Sequence, residues 1–164
     1  MPQRYLIALG SNQRHHRHGS PEQVLRAALA VLGAEAGVVL AAAPLIRSAP
    51  LGPSRRRYAN GAALIESRLE PDELLDLLKT IEAEFGRRDT GQRWSARVLD
   101  LDIVLWSGGP WSSPGLTIPH REFRERSFVL RPALAIAPGW RDPLTGLSLR
   151  QLHSRLTRPR TIPR

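Results

Sequence analysis

The 164-residue chain contains no cysteine. That excludes a disulfide scaffold, a thiol nucleophile and a Cys-ligated zinc. Lysine is almost missing as well: of 24 basic residues only Lys79 is one, and the rest are arginine. A GC-rich genome explains that bias as readily as a function does, so it names no partner. Long apolar runs are absent; the longest, Val38 to Leu45, contains Pro44 and falls far short of the roughly 20 residues a membrane helix needs. The start, Met-Pro-Gln-Arg, has no apolar signal core, so a cytoplasmic protein is expected. There is no Gly-x-x-x-x-Gly-Lys-[Ser/Thr] loop and no kinase glycine-rich loop. Gly108-Gly109 is only a turn, and no nucleophile elbow suggests a serine hydrolase.

What is present is ordinary for one globular domain: 41% hydrophobic and 24% charged residues. The net charge of +9 points to a polyanionic partner: nucleic acid, a phosphate-rich nucleotide or an anionic membrane.

Periodicity predicts a strand at Tyr5–Leu9 ending at Gly10-Ser11-Asn12, and a polar loop from Gln13 to Gly19. A helix comes next, capped by Ser20 with Pro21 first and Gln23 in the reciprocal position. Val38–Ile46 reads as a strand and Ala49–Arg57 as a loop broken by Pro50 and Pro53. Tyr58–Ser67 reads as a buried strand, and Glu70–Phe85 as a second helix. The polar stretch Arg87–Arg97 is a loop, and a strand is expected at Val98–Trp106. Strict alternation there puts Leu99, Leu101, Ile103 and Leu105 on one side, and Asp100, Asp102, Val104 and Trp106 on the other. Pro114–His120 is extended, Arg124–Ala137 a helix interrupted at Pro132, and Leu147–Leu156 a weaker helix. The order strand, helix, strand, strand, helix, strand is α+β: a ferredoxin-like βαββαβ core. It has an antiparallel sheet with both crossover helices on one face, here with a C-terminal helical extension. One domain over residues 1–164 is expected, with the tail 157–164 flexible.

Asp100 and Asp102 are the sharpest chemical feature. At i and i+2 on a strand they share a face, about 7 Å apart. Such a pair suits Mg²⁺, which takes oxygen ligands and is usually held by one or two carboxylates plus substrate phosphates. Ordinary acids on a solvated face, or acids paired with arginines, would give the same pattern. Arg87, Arg88, Arg93 and Arg97 lie just upstream, and arginine suits bidentate phosphate contacts. Trp94 among them is a base-stacking aromatic or a plug that anchors the loop. His15, His16 and His18 resemble a metal tract, but the interleaved Arg14 and Arg17 oppose a cation, so a solvated loop is expected.

Several blocks occur in order: Leu9-Gly10-Ser11-Asn12, Arg47-Ser48-Ala49-Pro50-Leu51-Gly52-Pro53, Tyr58-x-Asn60, Arg93-Trp94-x-x-Arg97-x-Leu99-Asp100-Leu101-Asp102-Ile103, Leu116-Thr117-Ile118-Pro119-His120 and Arg126-x-Phe128-Val129-Leu130-x-Pro132. Together they resemble the 6-hydroxymethyl-7,8-dihydropterin pyrophosphokinases of folate synthesis, from Tyr5 to about Pro138. The resemblance implies transfer of pyrophosphate from ATP to the pterin hydroxymethyl group, leaving AMP, with two Mg²⁺ per site. It implies that Asp100 and Asp102 hold the metals and, with Arg87 and Arg97, carry the catalysis. Lys79, Glu82, Arg93, Trp94, Ile103, Thr117, His120 and Arg126 would serve ATP. Gly10, Ser48, Ala49, Leu51, Tyr58, Asn60 and Phe128 would form the pterin pocket. ATP and a reduced pterin are the implied partners of a monomer. Ile46, Ser48, Ser95-Ala96 and Arg121 depart from the family's usual residues, which leaves room for a weakly active paralogue that binds pterin or nucleotide. A basic ferredoxin-like RNA-binding module is the rival from another class; no aromatic RNA-binding strand motif supports it.

Overall fold

The structure, a computed structural model, describes residues 1–48, 57–86 and 98–159. The expected site residues Ala49, Leu51, Arg87, Arg93, Trp94 and Arg97 lie outside the described residues, as do 160–164 of the tail.

Strand β1 (Gln3–Ser11) leads to helix α1 (Pro21–Glu35), then β2 (Val38–Ala42), β3 (Ile46–Ser48), β4 (Tyr58–Ser67), α2 (Pro71–Phe85) and β5 (Asp100–Trp106). Next come a hairpin of β6 (Trp111–Ser113) and β7 (Leu116–Ile118), a 3-10 turn at Phe123–Glu125, α3 (Ser127–Ile136) and α4 (Leu149–Thr157). The main sheet runs β2-β4-β1-β5, antiparallel throughout, with β3 also paired to β4. This is the expected ferredoxin-like core with a helical extension.

Helices α1 and α2 begin where the sequence predicts, whereas α3 starts at Ser127 rather than Arg124 and α4 at Leu149 rather than Leu147. Ser20 N–H donates to Gln23 Oε1 at 2.8 Å, and Gln23 N–H donates back to Ser20 Oγ at 3.3 Å. Glu70 N–H likewise donates to Glu73 Oε1 at 3.0 Å. Each box satisfies amides that the first helical turn leaves without partners.

Two cores sandwich the sheet. Tyr5, Ile7, Leu9, Ala63, Ile65, Leu101 and Ile103 face α1 and α2, which contribute Leu25, Leu32, Leu74, Leu78 and Ile81. Leu6, Ala62, Val104 and Leu105 face the other way, against Phe123, Leu130, Ala133, Leu149 and Leu152. Leu105 therefore departs from its expected side. Ile7 pairs with Ile103 but Leu6 pairs with Leu105, so Val104 is an extra residue in β5. A bulge places two successive side chains on the same face and reverses the phase of the residues after it. Trp106 accordingly packs with the α1/α2 core, and its indole N–H donates to Gln3 Oε1 at 2.7 Å.

Other departures are local. The single strand expected over Val38–Ile46 is two, interrupted at residues 43–45 around Pro44. Pro114–His120 contains one arm of the β6–β7 hairpin, whose turn uses Gly115 at φ +85. Helix α3 continues through Pro132, which is buried.

The polar 13–19 loop is more ordered than its composition suggests. His15 is buried and its ring lies 4.4 Å from that of His16 and 4.7 Å from that of His18. His15 Nδ1 accepts the N–H groups of Arg17 (3.0 Å) and His18 (3.1 Å), which only a ring unprotonated at Nδ1 can do. Burial first, then the neighbouring His18, His16 and Arg17, hold the His15 pKa below its usual value. A histidine with a lowered folded-state pKa supplies stability above its unfolded pKa, and that stability is lost as pH falls. From about pH 7.5 to about 5.5, the melting temperature of the wild type should fall more than that of His15→Asn, which keeps an acceptor but does not titrate. Parallel melting curves would contradict this.

Candidate active site

The first pocket of the site lies on the sheet face opposite α1 and α2. Gly10 of β1 stands between Asn60 of β4 and Asp100 of β5, and Ala8 stands between Ala62 and Asp102. Even-numbered residues of three strands thus share one face, as the strand period requires. The central strand contributes only a hydrogen and a methyl group there. That leaves a hollow between the polar side chains of its neighbours, closed above by Arg126, Phe128 and Val129 at the start of α3.

This first pocket is narrow, about 80 Å³, and is lined also by Ser48, Tyr58, Asn60, Asp100 and Asp102. Ser48 Oγ donates to Asn60 Oδ1 at 2.6 Å, which orients the Asn60 amide so that its NH₂ group remains a donor. A Cβ built on Gly10 would lie 3.5 Å from Asn60 Nδ2 and 3.9 Å from Asp100 Cβ, so a methyl fits but nothing larger does without filling the hollow. Gly10→Val should therefore fold normally yet lose about tenfold or more in affinity for a flat ring ligand, measured by fluorescence titration. Unchanged affinity would mean the ring binds elsewhere.

The second pocket is larger, about 550 Å³, and open. Lys79 of α2, Asp102 and Ile103 of β5, Ser112, Ser113 and Thr117 of the hairpin, and His120, Arg121, Glu122 and Arg126 line it. Ser113 Oγ donates to Asp72 Oδ1 at 2.6 Å and fastens the hairpin to α2. His120 hangs on β5 through its N–H to the Val104 carbonyl at 3.1 Å. Glu122 N–H donates to His120 Nδ1 at 3.1 Å, so a neutral His120 carries its proton on Nε2. The two pockets share Asp102 and Arg126. Arg126 donates to Glu122 and lies over the Phe128 ring, 5.6 Å from its centre.

Asp102 is reachable by solvent through the pockets, yet protein closes around it. This partial withdrawal from bulk water is the main reason its carboxyl is pushed up; Asp100 adds to the effect, while His120, Lys79 and Arg126 oppose it. Two carboxylates at this spacing disfavour ionisation together unless a cation joins them.

Of the described expected residues, only Glu82 lines neither pocket. Its Oε2 accepts the Leu101 N–H at 2.8 Å and its Oε1 lies 3.5 Å from Lys79 Nζ. β5 is the last strand of the sheet, so its outward amide needs an acceptor, and α2 supplies one. Burial, opposed by that amide and by Lys79, raises the Glu82 carboxyl. The expected site residues did not include Ala8, Leu9 and Val129 of the first pocket, nor Leu75, Ser112, Ser113, Gly115, Leu116, Arg121 and Glu122 of the second. Ala8 was within reach, since it lies two residues before Gly10 on the same strand face.

A narrow pocket with two aromatics and a carboxylate pair, joined at Asp102 and Arg126 to an open cationic pocket, defines a group-transfer enzyme on a ferredoxin-like sheet. The chain belongs to the 7,8-dihydro-6-hydroxymethylpterin-pyrophosphokinase (HPPK) family, whose model matches residues 6–138. It is 41% identical over 145 residues to 2-amino-4-hydroxy-6-hydroxymethyldihydropteridine pyrophosphokinase of Pseudomonas aeruginosa, covering 87% of this chain and 86% of that protein. It is 39% identical over 129 residues to the enzyme of the same name from Synechocystis, covering 78% and 66%. Among solved structures, wild-type HPPK-DHPS of Plasmodium falciparum shares the fold, with a TM-score of 0.75 at 12% identity. That match covers 94% of this chain but only 45% of the longer one. Among the described residues, no helix is long and apolar enough to cross a membrane.

Proposed function

We propose that the chain transfers the pyrophosphoryl group of ATP to the hydroxymethyl oxygen of 6-hydroxymethyl-7,8-dihydropterin, releasing AMP, as a cytoplasmic monomer. The observation that carries this reading is the meeting of the two pockets at Asp102 and Arg126. The narrow pocket suits the pterin. Tyr58 and Phe128 offer faces for its ring, and the Asn60 amide offers donors for its polar edge. The open pocket suits the nucleotide, with Lys79, His120, Arg121 and Arg126 for its phosphates. The hydroxymethyl oxygen would then face the β-phosphorus near the junction. Its attack forms a new P–O bond, the bond between the β-phosphorus and the α–β bridging oxygen breaks, and the hydroxyl proton leaves to solvent. Such transfers depend on positioning and charge neutralisation more than on covalent help from the protein.

Asp100 and Asp102 fit Mg²⁺ in the chemistry of their donors: hard oxygens on one strand face, with the Asp102 carboxyl pushed up in the absence of a cation. Among the described residues, no group of three or more acidic, histidine or cysteine side chains could hold a metal. Water and substrate phosphates would therefore complete the ligand set, as is usual for Mg²⁺. When bound, two Mg²⁺ would offset phosphate charge and polarise the transferred group.

The test is product analysis. With ATP, the pterin and Mg²⁺, the protein should form AMP and the pterin diphosphate, and excess EDTA should stop it. ADP as the product, or no product while the pterin binds, would overturn the reading; the second result marks a paralogue that only binds.

A further inference from the structure

Arg124 lines neither pocket, yet it stands two residues before Arg126, which lines both. Its guanidinium forks onto Asp142: Nε donates to Oδ2 at 2.5 Å and Nη2 to Oδ1 at 2.9 Å. Asp142 is fully buried. Its carboxylate also accepts the Leu144 N–H at 3.0 Å and the Thr145 hydroxyl at 2.8 Å, so each oxygen takes two donors. Burial alone would raise this carboxyl; the Arg124 fork and the other donors outweigh it and hold it low.

The pair joins two separate pieces of chain behind the site. On one side is the Phe123–Glu125 turn, anchored by Phe123, which is wholly buried and lies 4.8 Å below the Arg124 guanidinium. On the other is a C-terminal turn closed by Asp142 N–H to the Leu147 carbonyl and Gly146 N–H to the Asp142 carbonyl, each 2.8 Å. The side-chain partners of Arg126 itself are weaker anchors: an exposed Glu122 and the face of Phe128. The backbone of Arg126 is tied to the same turn by its N–H to the Phe123 carbonyl at 3.3 Å, and to α3 by its carbonyl, which accepts the Val129 and Leu130 N–H groups at 3.0 Å, so the fork holds from behind the turn that carries it.

A buried ion pair is seldom the best choice for stability alone, because apolar residues of the same volume often do as well. A planar fork on a fully matched carboxylate does, however, admit few orientations. We infer that Asp142, acting through Arg124, is a positioning residue for the transfer: it holds the Phe123–Glu125 turn in the orientation that presents Arg126 where the two pockets meet. The inference rests on the reading of Arg126 as a phosphate-contacting group.

A double-mutant cycle tests it. The kcat and the KM for ATP are measured for the wild type, Asp142→Asn, Arg126→Ala and the double variant, at a temperature where circular dichroism shows all four folded. Asp142→Asn should lower kcat about tenfold or more and raise the KM for ATP. In the Arg126→Ala background the same substitution should change either constant by less than about twofold. An equal cost in both backgrounds, or no cost in the wild-type background, overturns the inference. Wild-type kinetics for Arg126→Ala alone would instead overturn the assignment of Arg126. A purely structural role would lower the melting temperature and the number of competent sites but leave the KM of surviving sites unchanged. Should Asp142→Asn fail to fold, Arg124→Lys, which keeps the charge without the fork, takes its place in the same cycle with the same expected results.

Discussion

Alanine at Asp102 is expected to lower turnover by a factor of about 100 or more while the fold stays intact. Asp102 lines both pockets, so its loss removes the one carboxylate, among the described residues, that reaches both. Its neighbour across the sheet is Ala8, a residue that makes no demand on a carboxylate. The carboxyl is also held against its ordinary tendency to ionise by partial burial and by Asp100. Removing it therefore relieves repulsion, and the melting temperature of the metal-free variant should equal or exceed that of the wild type. Asp100→Ala should cost activity on a similar scale. AMP formation and thermal melting check both. If both variants keep more than about a tenth of wild-type activity, the carboxylate pair is not the catalytic centre.

Asn60→Ala carries the second largest expectation: pterin affinity should fall roughly ten- to a hundredfold, with ATP affinity nearly unchanged. Asn60 is buried to 5% exposure and its oxygen is committed to Ser48, so its amide donors have a fixed direction. A ring bound beside alanine would keep its polar edge buried without those donors. The nucleotide pocket does not include Asn60, which is why the two affinities should separate. Fluorescence titration of each ligand gives the answer, and a parallel loss of both would point to a general disturbance of β4.

The shared face of Asp100 and Asp102 was legible from strand parity, which holds along β5 as far as the bulge at Val104, whereas the other site residues came from the family resemblance. Asp100 and Asp102 share a face with Gly10 and Asn60, and the small residues between them mark a hollow. The features that escaped depend on contacts distant in sequence. Nothing in Ser48 announces a bond to Asn60; that requires β3 to pair with β4 in the observed register. Glu82, which the resemblance assigns to ATP, gives its Oε2 to the outward Leu101 amide of β5, a contact that no local pattern announces. The β6–β7 strands are three residues each, too short for an alternation pattern to show. Arg124 and Asp142 lie 18 positions apart, one at the expected start of a helix and the other between the two C-terminal helices. The RNA-binding alternative fails on the same structural grounds. The sheet face such a module would expose is covered by Phe123, Leu130, Leu149 and Leu152, and the part left open presents two carboxylates.

The extra residue at Val104 has a consequence for anyone who transplants or shortens this strand. β5 behaves like a text whose reading frame changes midway: before Val104 the even positions serve chemistry, and after it they serve the helix-side core. Deleting that one residue would restore plain alternation, with Leu105 and Trp106 on the faces they already occupy, and would take away the carbonyl from which His120 hangs. Position-by-position comparison of such strands is sound only if counted separately from each end.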